Sequence, residues 1–181
     1  MNVNTTSLSI PASGFTIISG GQTGVDRAAL DAALHAGIPI GGWCPVGRRA
    51  EDGKIPGHYP LQETDSWNYA VRTERNVCDS DATLIIARDT VSGGTRLTVR
   101  LARQHAKPLH IVRLSEEPVT TAAEKLLTDD VQTVVDWVED RKIRVLNVAG
   151  PRGTSDARIY PQSREFCSKL FAALISSTAG I

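Results

Sequence analysis

Thr16-Ile17-Ile18-Ser19-Gly20-Gly21-Gln22-Thr23-Gly24-Val25-Asp26-Arg27-Ala28-Ala29-Leu30-Asp31-Ala32-Ala33-Leu34 is the stretch that decides the fold. A short β-branched run breaks at two glycines, then resumes with alanines and leucines at helical spacing, which reads as strand, tight turn and helix. Gly20, Gly21 and Gly24 give the turn backbone freedom where a side chain would obstruct a ligand, and Thr23 is placed to cap the helix. Unpaired N–H groups at such a helix start attract anions, above all phosphate. The stretch therefore reads as a phosphate cradle, with a purely structural turn as the competing reading. Its G-G-x-x-G spacing matches neither a P-loop, which needs Gly-Lys-Ser/Thr, nor the G-x-G-x-x-G dinucleotide fingerprint.

A second glycine turn, Ser92-Gly93-Gly94-Thr95, opens a helix at 97–104 and follows the apolar run Ala82-Thr83-Leu84-Ile85-Ile86-Ala87. A continuous apolar run of this length is typical of a parallel strand covered on both faces. Further strands are expected at 38–43, 109–114 and 142–151. Helices are expected at 66–78, capped by Asp65 or Ser66, at 118–127 continuing over 131–141, and at 162–176. This alternation predicts an α/β fold: a doubly wound, mostly parallel sheet with helices on both faces, Rossmann-like. Ligands of such sheets bind beyond the carboxyl ends of the strands. Both glycine turns would then share one crevice, to which the last strand delivers Asn147 and the Gly150-Pro151 turn.

The 181 residues suffice for one domain, expected over 15–181 behind a flexible tail at 1–14. Lys plus Arg equals Asp plus Glu at 20 each, so net charge recruits neither nucleic acid nor an anionic membrane, and any anion must be bound locally. No apolar run approaches the ~18 residues of a membrane span, and the polar start lacks signal-peptide character, so a cytoplasmic location is expected. Cys44, Cys78 and Cys167 are far apart with no C-x-x-C pair, which argues against disulfides and against a structural zinc. Residues 44–60 pack glycine, proline and charge into a long connection, a type that is usually functional. Its Arg48, Arg49 and Lys54 are either a solvated cluster or a cover for the cradle. Arg72, Arg75 and Asn76 form a polar stripe on the 66–78 helix.

Several blocks together carry a family likeness. Gly20 to Asp31, Gly41-Gly42-Trp43-Cys44-Pro45 and Gly47-Arg48-Arg49-Ala50-Glu51-Asp52-Gly53 join Ile55-Pro56, Tyr59-Pro60-Leu61, Arg72-Thr73-Glu74-Arg75-Asn76 and Ser92-Gly93-Gly94-Thr95. Over residues 16–151 this set resembles the molybdenum cofactor carrier proteins. The resemblance implies a Rossmann-like domain of the superfamily that includes the lysine-decarboxylase-like phosphoribohydrolases. It implies a homo-oligomer, a tetramer being expected, that binds, stores and protects molybdopterin-bound molybdenum for molybdoenzymes without transforming it. The implied partners are this phosphate-bearing small molecule and, transiently, molybdoenzymes or cofactor-synthesis proteins.

The ligand-binding candidates are Gly20, Gly21, Gln22, Thr23, Gly24 and Asp26 in the first turn, and Ser92, Gly93, Gly94 and Thr95 in the second. Arg48, Arg49, Arg72 or Arg75 would add charge-assisted bonds, beside Asn76, Asn147 and Gly150. The metal of the cofactor is chelated by the cofactor's own sulfurs, so no protein metal site is expected. The phosphoribohydrolases carry P-G-G-x-G-T-x-x-E, and here Thr98 stands where that glutamate would be. Threonine can neither stabilise an oxocarbenium charge nor act as a base near neutral pH, so no catalytic residue is assigned. Nucleoside-5'-monophosphate phosphoribohydrolase and sensor of a nucleotide-derived signal are the alternative readings.

Overall fold

The β-branched run of the opening stretch forms β1 (Thr16–Ile18), and its alanine-rich continuation forms α1 (Val25–His35). This computed structural model describes residues 14–88, 90–114 and 121–178; residues 1–13 of the expected tail lie outside them. β2 (Ile40–Gly41) and β3 (Trp43–Cys44) follow, then the short strands β4 (Arg49–Ala50), β5 (Gly53–Lys54) and β6 (Gln62–Glu63). Next come α2 (Tyr69–Cys78), β7 (Ala82–Ala87), α3 (Gly93–Gln104), β8 (Leu109–Arg113), α4 (Thr121–Asp140), β9 (Val145–Ala149) and α5 (Ile159–Thr178).

Five strands make the central sheet in the order β2-β1-β9-β7-β8, every pair parallel. The fold is α/β and Rossmann-like, as the alternation predicts. One face carries α1, α4 and α5, where Phe166, Leu170 and Phe171 pack on Ala29, Ala33, Leu84, Leu146 and Val134, all essentially sealed from solvent. The other carries α2 and α3, with Val77, Leu101 and Ala102 in one apolar cluster and Val99 on Ile85 and Ala87 in another. Both faces being covered is why β7 is buried at all six residues.

Counted from β9 instead of β1, the sheet order becomes 3-2-1-4-5, the doubly wound arrangement with the chain cut between its first helix and second strand. The winding reverses between β9, whose helix α5 lies on one face, and β7, whose helix α3 lies on the other. This switch point is where the carboxyl ends of two strands leave a crevice.

Several boundaries differ from expectation. The 38–43 strand breaks at Gly42 (φ +120°), where a Cβ would stand 2.3 Å from Ser19 O, and the chain passes into a separate parallel pair, β3 with β6. Asn68, rather than Asp65 or Ser66, caps α2 by accepting from Ala70 N at 2.9 Å, so the helix starts at Tyr69. Gly93 and Gly94 are the first two residues of α3 rather than a turn before it. The helix expected at 118–127 and 131–141 is one, α4, and residues 118–120 of the expectation lie outside the described ones.

Candidate functional site

A cleft of about 460 Å³ opens at the switch point, between the segments that follow β7 and β9 and the first turns of α2. Its walls are Ser92, Gly93, Gly94, Thr95 and Thr98 from α3 and its approach, Gly150 to Arg152, Ser155 and Asp156 after β9, Tyr69, Arg72 and Thr73 of α2, and Arg88 at the end of β7. Gln22 and Asp26 reach it from the first glycine turn. The two glycine turns therefore do border one hollow, but they play different parts in it.

The first turn is closed by protein. Val25 N–H donates to Pro151 O at 3.2 Å, Gln22 N–H to Asp26 Oδ2, and Thr23 N–H to its neighbour's Gln22 Oε1. Gly24 (φ +80°) lets the 151–153 backbone lie against the start of α1, where a Cβ would meet Pro151 O at 2.4 Å. Thr23 does not cap α1. Its hydroxyl bonds Glu51 and accepts from Gly153 N, and Glu51 also takes the N–H and hydroxyl of Thr154. The cause is topological: β1 and β9 send their helices to the same face, so the first turn lies one strand away from the reversal.

The second turn is open. α3 has no side-chain cap, and the N–H groups of Gly93, Gly94 and Thr95 precede any intrahelical acceptor. A Cβ on Gly93 or Gly94 would meet nothing within 4 Å. Of the two turns expected to cradle an anion, this is the one whose helix start is free.

Two arginines line the cleft in the same way. Arg72 Nη1 is 3.2 Å from Asp26 Oδ2, and Arg88 Nη1 pairs with Asp156 Oδ2. Arg88 is only 8% exposed. Among the described residues, Arg72 Nε, Arg88 Nε and Arg88 Nη2 are buried donors with no partner. In a guanidinium, Nε–H and one terminal N–H form a parallel fork that matches two oxygens of a carboxylate or phosphate. Asp156 holds the other terminal nitrogen of Arg88. Burial pushes the Asp26 carboxyl above its ordinary value, against the opposing pull of Arg72. The Arg158 N–H, followed by the Arg88 guanidinium, holds Asp156 below it despite some desolvation.

Of the sequence candidates, Gln22, Asp26, Arg72, Ser92, Gly93, Gly94, Thr95 and Gly150 line the cleft, and the others lie outside it. Gly20 makes room for the Arg72 side chain, and Gly21 (φ +71°) faces Leu61 and Ile55. Arg48 does not face the cleft: its guanidinium donates to the carbonyls of Ile55, Pro56, Tyr59 and Leu61, pinning the 55–61 segment over Cys44 and Leu30. Arg49 is exposed on the β4–β5 hairpin. Arg75 stacks over Trp43 at 4.7 Å, and Asn76 clamps the Trp43 backbone through both amide atoms. Asn147 is buried inside the sheet, donating to Thr83 Oγ1. Cys44 is buried, and desolvation raises its thiol. Arg88, Arg152 and Asp156 escaped sequence reasoning; the one available signal was Arg88 directly after a buried strand.

The family model described as "Circularly permutated YpsA SLOG family" matches residues 17–171. The chain belongs to this family. The sheet order that becomes regular when counted from β9 is what such a permutation produces. Among solved structures, this SLOG chain is similar to a "Putative molybdenum carrier protein" from Syntrophus aciditrophicus SB, 42% identical, with a TM-score of 0.79 over 86% of this chain and 93% of that one. A search of curated proteins returns no match. Among the described residues, no helix is long and apolar enough to cross a membrane.

Proposed function

We propose that the switch-point cleft holds the phosphate of molybdenum cofactor, and that the protein binds and protects this cargo for delivery to molybdoenzymes without transforming it. The observation that carries the reading is the set of unpartnered donors: the Arg88 fork, Arg72 Nε and the open start of α3. Each unsatisfied buried donor costs about 1–3 kcal/mol, which an oxyanion reaching it recovers. The 460 Å³ volume falls within the range of about 300–1,000 Å³ usual for small-molecule sites. The name of the 42% identical relative supports the choice of cargo.

The cargo's chemistry fits the residues present. Its terminal phosphate matches the Arg88 fork and the Gly93, Gly94 and Thr95 N–H groups. Its pterin offers N–H donors and ring acceptors, for which the Asp26 and Asp156 carboxylates, Thr73 and the exposed Tyr69 ring are available. Its molybdenum comes chelated by the dithiolene, so the walls need supply no metal ligands.

One observation favours a second reading. Asp26 is a buried cleft carboxyl with a raised pKa, the property of a general acid, and so keeps the phosphoribohydrolase alternative alive. Against it, the Thr98 hydroxyl donates to Gly94 O at 3.2 Å and both cleft carboxylates are paired with arginines. The test is an anaerobic titration with cofactor released from a molybdoenzyme, run beside incubation with nucleoside monophosphates. Saturable binding of the cofactor with no steady release of free base supports the carrier; the reverse result installs the hydrolase.

A further inference from the structure

β8 is an edge of the five-stranded sheet, and the helices on its two sides carry opposite charge. On α3, Arg96, Arg100 and Arg103 stand at i, i+4 and i+7, all exposed, on a helix with no Asp or Glu. On α4, Asp129, Asp136 and Asp140 stand at i, i+7 and i+11, again all exposed. Among the described residues none of these six forms a salt bridge within the chain. Each stripe places charge at the unfavourable end of its own helix. Arg96 lies near the start of α3, where the dipole disfavours a cation, and Arg100 repels it one turn on. Asp136 and Asp140 lie near the end of α4, where the dipole disfavours an anion. The chain's charges balance overall, so this segregation is positional.

Between the stripes runs apolar surface. Leu109 and Ile111 of β8 are half-buried beside α3, and on the α4 side the His110 ring lies tilted against the half-buried Trp137, centroids 5.3 Å apart. An apolar strip with charged rims is the anatomy of a protein interface, and tryptophan is a frequent anchor in one.

We infer that the β8 edge is the contact between two copies of this chain, related by a two-fold axis along β8. Such a rotation exchanges the faces of the sheet, so α3 of each copy meets α4 of the other, and the contact closes on itself. A two-fold perpendicular to the sheet would instead set α3 against α3, arginine to arginine. Register agrees with the first arrangement. α3 and α4 both return from the carboxyl to the amino ends of strands, and each is followed by a four-residue connection, 105–108 and 141–144. Thr83 pairs with both Leu109 and Asn147, so β9 starts two residues below β8; counting back from Gln104 and Asp140 with that offset levels Arg103 with Asp136 and Arg96 with Asp129.

Sedimentation velocity of the full chain tests this. The wild type dimerises, or forms larger assemblies built of that dimer, with an affinity that falls as salt rises. Arg103→Glu and Asp136→Arg each raise the dissociation constant by at least about tenfold through like-charge contact, and the double exchange restores it. Circular dichroism verifies folding, and Arg96→Glu with Asp129→Arg replaces a pair that fails to fold. A monomeric wild type at micromolar concentration overturns the inference, as do single variants that leave the assembly intact, or a folded double exchange that stays apart.

Discussion

Arg72 Nη1 and Asp26 Oδ2 meet at 3.2 Å against the Cα of Gly20, where a Cβ would fall 1.5 Å from Nη1 and 2.9 Å from Oδ2. The glycine leaves room for the ion pair. Gly20→Ala should expel Arg72 and leave Asp26 buried without its counter-charge, costing about 3 kcal/mol in urea unfolding. Adding Arg72→Ala to Gly20→Ala should cost much less than the sum of the two single changes, because the side chain being clashed with is gone.

Gly21 and Gly94 separate the scaffold from the site. Gly21→Ala imposes a left-handed backbone on alanine and brings its Cβ 2.5 Å from Leu61 Cδ1, so it should destabilise by about 1–3 kcal/mol. Gly94→Ala meets no protein atom within 4 Å and gains helix propensity, so its melting temperature should hold or rise. Its methyl group crowds the α3 start, and phosphate titration should show weaker binding.

Arg88→Met should uncouple stability from binding. Two buried orphan donors disappear and a side chain of similar length fills their place, so stability should be unchanged or higher by about 1 kcal/mol. Asp156, partly exposed, can take water instead. Calorimetric titration with cofactor should nonetheless show an affinity lower by at least about tenfold, the loss expected for a charge-assisted bidentate contact.

Acid sensitivity should trace to Glu51. Partial desolvation raises its carboxyl, but hydrogen bonds from Thr154 and Thr23 outweigh this and hold it below its ordinary value of 4.5. A depressed folded pKa contributes stability above the unfolded value and loses it as pH falls through the folded one. Unfolding free energy should therefore decline below about pH 4.5, with Asp52, held down chiefly by its Arg27 hydrogen bonds, acting in the same sense. Glu51→Gln should be less stable at pH 7 by about 1 kcal/mol and should show a shallower acid limb in denaturant melts.

Much of the fold was legible because β1, β7, β8 and β9 are β-branched or apolar runs bounded by glycine, proline or polar residues, signals carried by neighbouring residues. The site was legible only in part, because what distinguishes its two glycine turns is distant in sequence. The N–H of Val25 is occupied by Pro151 O, more than a hundred residues away, and nothing between Gly20 and Gly24 announces that. Arg72 stood level with Arg48, Arg49 and Arg75 as a ligand-binding cation in the sequence, and only the fold sets it over Asp26. Arg48 carried a plausible ligand charge, yet four backbone carbonyls of its own loop consume it. Local pattern names elements; partner choice between elements waits for topology.

The central claim, that the cleft between α3 and the two arginines carries molybdenum cofactor, meets its most direct test in the load of protein purified anaerobically from cells that make the cofactor. Wild-type protein should carry molybdenum and pterin in equal amounts, and Arg88→Met, folded and equally abundant, should carry little of either. A wild-type protein free of both, or a variant loaded as fully as the wild type, would contradict the account.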